Sequence, residues 1–215
     1  MPFWTRPDPC PAGLPPIATV GAYDGPARAL LIGFKERGAL ALARPLGAAL
    51  ARSLSLALTL VGRVESVVVL PVPSSAQQCR RRGADVVAEL AQCAVRDLRA
   101  LGVPVRLVRA LRQVRAVADS AGLDARARAA NTAGALGLRR GAAAMIGGST
   151  VVLVDDVVTT GASLAESARV LHEASAFVVA AATVAATRRH ERPPGAGHAG
   201  IRSPAAQQLG WGLRC

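Results

Sequence analysis

Continuous apolar runs bounded by turn residues mark strands buried on both faces, as in a parallel sheet. Three such runs stand out. Ser66–Leu70 (SVVVL) is closed by Pro71-Val72-Pro73. STVVLVDD, from Ser149 to Asp156, is opened by Gly147-Gly148. FVVAAATVAAT follows from Phe177. Val105–Val108, after the break Gly102-Val103-Pro104, is a fourth candidate. Elsewhere apolar residues recur at helical spacing. PARALLIGFKERG and ALARPLGAALARSLSLAL predict two helices between Pro26 and about Leu60. The second should begin near Pro45, because proline suits a first helical turn. RRRGADVVAELAQCAVRDLRAL predicts one amphipathic helix over residues 80–101, and TTGASLAESARVLHEA another after the second apolar run. Strands alternating with helices in this order predict an α/β fold with a parallel sheet.

Other stretches lack a clear period. Pro2, Pro7, Pro9, Pro11, Pro15 and Pro16 make residues 1–19 an extended, Pro-rich lead-in. Residues 20–190 form the expected domain. Arg109–Ala130 is Arg-rich and lightly apolar, and fits a ribbon, a mobile loop or a helix equally. Residues 191–215 read as a flexible tail, with the Pro- and Gly-rich composition beginning at about 188.

Composition narrows the function classes. With 51% apolar residues the 215-residue chain can bury a core, which excludes wholesale disorder. Aromatics at 3% leave that core to Ala, Val and Leu, and argue against a surface stacking many bases. The net charge of +12 comes almost wholly from arginine; Lys35 is the sole lysine. That excess is equally consistent with compositional habit and with an anion-binding face. The longest uncharged apolar runs, 141–154 and 174–187, fall short of the roughly 20 residues a membrane span needs. Prolines occupy the place of a signal peptide's apolar stretch. A cytoplasmic protein without membrane insertion is expected. Cys10, Cys79, Cys93 and Cys215 include no C-x-x-C pair, and there are three histidines, so no structural zinc is expected.

The chemistry concentrates in Thr150–Glu166, TVVLVDDVVTTGASLAE. Val151–Val154 form the buried strand, and Asp155 and Asp156 stand at its C-terminal end, where open α/β sheets place ligands. Val158, Thr159, Thr160, Gly161, Ala162 and Ser163 then lead into a helix. Gly161 permits close backbone approach, the helix N-terminus offers free amides and a favourable dipole, and the hydroxyls add donors. This is a phosphate cup beside two carboxylates suited to sugar hydroxyls. Capping alone would explain either part, but not both in this order.

VVLVDDVVTTGAS resembles the phosphoribosyl diphosphate (PRPP) signature of type I phosphoribosyltransferases. AYDGPARALLIGFKERG, VVVLPVPSSAQQCRRRGADVVAELA and RARAANTAGA resemble the competence protein F (ComF) family of that fold, over about Gly21 to Thr187. Three positions depart from the family pattern: Ala84 and Asp85, since Arg82-Gly83-Ala84-Asp85 replaces Arg-Gly-Phe-Asn, and Ser120, which stands where a Gln is usual. The family's N-terminal zinc module is expected to be absent, with Cys10 alone nearby. The resemblance implies a type I phosphoribosyltransferase-like sheet with a small hood over residues 109–131. It implies Asp155 and Asp156 on the ribose as catalytic residues, and Val158–Ser163 on the 5′-phosphate. Pro73, Ser74, Ser75, Arg80 and Arg82 would meet the diphosphate, and Lys35, Arg109 and Arg112 are candidate hood or anion contacts. Mg²⁺ would arrive with PRPP. The implied activity is phosphoribosyl transfer to an acceptor the sequence does not name. The alternatives are a PRPP sensor and a DNA-uptake factor binding single-stranded DNA or a competence-machinery protein. A homodimer is compatible with all three.

Overall fold

The computed structural model describes residues 1–37, 39–62, 64–116 and 125–187. In chain order the elements are β1 (Phe3–Thr5), β2 (Ile17–Ala22), α1 (Gly25–Arg37), a 3-10 turn at Leu40–Leu42, α2 (Ala43–Leu58), β3 (Val67–Pro71), α3 (Ala76–Arg82), α4 (Val86–Ala100), β4 (Val105–Leu107), β5 (Leu111–Gln113), α5 (Ala125–Thr132), β6 (Leu136–Leu138), α6 (Ala142–Ile146), β7 (Thr150–Val158), α7 (Ala162–Glu173) and β8 (Phe177–Ala186). Six strands make the main sheet in the order β1-β2-β8-β7-β3-β4. All neighbours run parallel except β1 with β2. The expected α/β architecture is therefore present: a mostly parallel sheet with helices on both faces. β5 and β6 form a separate antiparallel ribbon.

Two apolar layers flank the sheet. Val152, Val154, Ala180 and Ala182 pack with α2 and α4, while Val151, Leu153 and Ala181 pack with α6, α7 and the ribbon. β3 is buried along its whole length, which explains its unbroken apolar run. Small residues bring the layers close. A Cβ added at Gly47 in α2 would stand 2.4 Å from Cys93 Cβ in α4, so that crossing requires glycine.

Several expectations need correction. The helix expected over 80–101 is two helices. Gly83 takes a left-handed φ of 73° after α3, and Asp85 caps α4 by accepting from the Ala88 amide. Arg80–Arg82 therefore lie in the last turn of α3, where the helix dipole favours positive charge, rather than opening a helix. The Pro-rich lead-in is not merely extended chain: Phe3–Thr5 adds an antiparallel edge strand, and β2 runs across the division drawn at residue 19. Of the three forms open for Arg109–Ala130, the described parts take two, the ribbon strand β5 and the helix α5. Residues 117–124 and the tail 188–215 lie outside the described residues.

Candidate active site

β3 and β7 define the site. β3 ends where Pro71 pairs with Val154, and the Val72 amide donates to the Val154 carbonyl. β7 continues beside β8 to Val158. Asp155 and Asp156 thus project past the end of β3, with an open cleft on that side. The chain leaves β3 toward β4 and leaves β7 toward β8, so this is also the point where the winding of the sheet reverses.

The loop after β7 is built to receive an anion. Gly161 holds φ 74° and opens α7 with no side-chain cap. The first amides of α7 have no intrahelical partner by geometry. Among the described residues, no acceptor engages the Thr159, Thr160 and Gly161 amides, or the hydroxyls of Thr159, Thr160 and Ser163. Asp155 and the segment from Val157 to Leu164 line one small open pocket. The lead-in backs this loop: a Cβ on Gly161 would meet Leu14 Cδ2 at 2.9 Å and Pro7 Cγ at 3.2 Å.

The two carboxylates have unequal surroundings. Strand alternation puts Asp155 on the side of α7 and Asp156 on the side of α1. Asp156 is 5% exposed, and its Oδ2 lies 2.6 Å from Lys35 Nζ. Asp155 Oδ1 accepts from the Asp156 amide at 2.8 Å. Burial, followed by the charge of Asp156, holds the Asp155 carboxyl well above the ordinary carboxylate range, while Lys35 pulls it down.

Across the cleft, Ser75 caps α3, accepting from the Gln78 amide, and Ser74 Oγ donates to Asp85 Oδ1 at 3.0 Å. Arg82 gives one guanidinium nitrogen to Glu36 Oε1 at 2.8 Å, and its Nε is buried with no partner. Arg81 also pairs with Glu36. The Arg82 hydrogen bond is the main cause that lowers the Glu36 carboxyl below its usual range. Arg80 is exposed. Arg109 reaches Asp85 Oδ2 at 3.2 Å, tying the ribbon to the Ser74 turn. Arg112 Nε donates to the Leu138 carbonyl, across the ribbon.

Cup, acids and Ser74 turn thus gather at the C-terminal ends of two central strands, and Lys35 pairs with one of the acids. Asp85 and Glu36 were missed as members of this cluster. Asp85 carries a local signal, an acid ahead of an apolar helix, but that signal announces a cap and not an ion pair. Glu36 carries none, since its arginines lie 45 and 46 residues away.

This arrangement coincides with a known family. The model of the phosphoribosyl transferase domain matches residues 38–204. The chain belongs to that family. Comparison with curated proteins finds no match. The matched span holds β3, the Ser74 turn, the ribbon, β7 and the cup, and the mostly parallel sheet agrees with the type I phosphoribosyltransferase fold. β1, β2 and α1, including Lys35 and Glu36, precede it. Among the described residues no helix is long and apolar enough to cross a membrane.

Proposed function

We propose that the protein binds PRPP and transfers its phosphoribosyl group to an acceptor, with release of diphosphate. The observation that carries this reading is the set of uncommitted amides at the α7 N-terminus, sharing a pocket with Asp155. The 5′-phosphate takes the amides and hydroxyls of Thr159–Ser163. Asp155 accepts from the ribose diol, with Asp156 beside it. Ser74, Ser75 and Arg82 face the diphosphate, and the unpartnered Arg82 Nε is a buried donor suited to an oxyanion. No group of three His, Cys, Asp or Glu among the described residues is placed to cage a metal ion. Mg²⁺ would arrive with the substrate, as the Mg–PRPP complex, and would supply charge compensation on the diphosphate.

In the reaction the C1–O bond to diphosphate breaks, and the leaving group keeps the electron pair. The acceptor's lone pair forms the new bond at C1. Positive charge develops on the sugar between these events, and the Asp155 carboxylate stabilises it. The ribbon and α5 form the hood that excludes water. Calorimetric titration with Mg–PRPP tests the reading: wild type binds, and D155N/D156N loses at least tenfold in affinity. A folded wild type giving no heat at millimolar ligand overturns it.

A ComF-type role in DNA uptake is the second reading, and one observation favours it. From Arg106 to Ile146 the chain holds eight arginines against two acids, Asp119 and Asp124. Such a layer fits a polyanion such as single-stranded DNA. A salt-dependent affinity for oligonucleotides supports this reading, and its absence removes it.

A further inference from the structure

α1 contributes a residue to the acid pair from outside the span shared with the family. The Lys35 ammonium lies 2.6 Å from Asp156 Oδ2, with the lysine side chain 21% exposed and the aspartate side chain 8%. Two adjacent carboxylates at a strand end repel each other, and the repulsion grows with burial. A fixed positive charge nearby favours both acids accepting hydroxyls as carboxylates. Lys35 is placed to be that charge. Phe34, the preceding residue, is buried in the core, which anchors the α1 turn that presents it. The next residue, Glu36, takes Arg81 and Arg82, so the neighbouring arginines pair with Glu36 and not with the acids.

We propose that Lys35 is a positioning residue for sugar binding, acting through Asp156: it pins that carboxylate and supplies the counter-charge that the adjacent acids need to meet a diol together. Lys35 touches no substrate in this scheme. The inference rests on the PRPP reading of the same site.

The test is a double-mutant cycle, with Mg–PRPP titrated calorimetrically into wild type, K35M, K35R, D156N and K35M/D156N. K35M is expected to bind at least tenfold more weakly than wild type. K35R, which keeps a cation in reach of Asp156, recovers to within about threefold. K35M/D156N binds within about threefold of D156N alone, because the lysine then acts only through its longer-range charge on Asp155. Should K35M not fold, K35R and the double variant, which leaves no unpaired Asp156 carboxylate, carry the comparison. K35M binding like wild type, K35R binding as weakly as K35M or the double variant, or losses that add fully across the cycle, each overturn the inference and leave the PRPP reading standing. A wild type that does not bind PRPP overturns both.

Discussion

Asp155 shows how a site residue sets function against stability. Its carboxyl is held well above the ordinary range, first by burial and then by Asp156. The folded protein therefore binds this proton more tightly than the unfolded chain does. The group's contribution to stability is greatest below the unfolded-state pKa, and is lost as pH rises through the window up to the raised value. Ligand binding has the opposite sign, because a diol donates to the carboxylate. PRPP affinity should fall as pH drops through that window, and D155N should lack this component while being more stable than wild type near neutrality. Urea denaturation and PRPP titration of both proteins from about pH 4 to pH 8 check the two signs together. A parallel pH profile in D155N would show that another group governs binding.

At the scale of elements, burial on both faces made the central strands readable. β3, β7 and β8 announce themselves by apolar runs because no solvent-facing alternation interrupts them. β1 and β6 were not read: each is three residues long, and Phe3 and Trp4 on β1 are partly exposed. The break between α3 and α4 was visible as Gly83 and Asp85, yet the helical period on either side bridged it. Packing between helices left even less trace. Gly47 looks like a helix-weakening residue, but the α2–α4 crossing leaves no room for a Cβ. G47A should gain about 1 kcal/mol of helix propensity and lose more than that to the contact with Cys93, for a net destabilisation of about 1–2 kcal/mol. Denaturant titration measures it, and a stabilised G47A would show that the two helices separate at little cost.

For the whole molecule, the cup was legible because its parts are contiguous in the chain, whereas the clusters around it are not. Lys35 meets Asp156, Glu36 meets Arg81 and Arg82, and Asp85 joins Ser74 to Arg109, all through tertiary folding. Lys35 and Arg109, expected as anion contacts, each pair with an acid of the chain itself. Glu166 illustrates the same point: buried, it accepts from the Gly134 amide at 2.9 Å and from Arg169, fixing α7 to the turn before β6. The positive excess was legible as a number and not as a surface. Its concentration between Arg106 and Ile146 gives the DNA reading a quantitative form. Binding that neutralises about four phosphates should show log affinity falling against log salt with a slope near −3, at about 0.7 per single-stranded phosphate. A flat response in a fluorescence anisotropy titration across salt would refute it.

The lone lysine also makes the molecule its own reporter. An amine-directed acylating reagent has two targets in this chain, the α-amino group and the Lys35 ε-amine. The second is shielded by its carboxylate partner. The rate at which a second acyl group appears in the mass spectrum therefore reads how often that partnership opens, without any introduced probe.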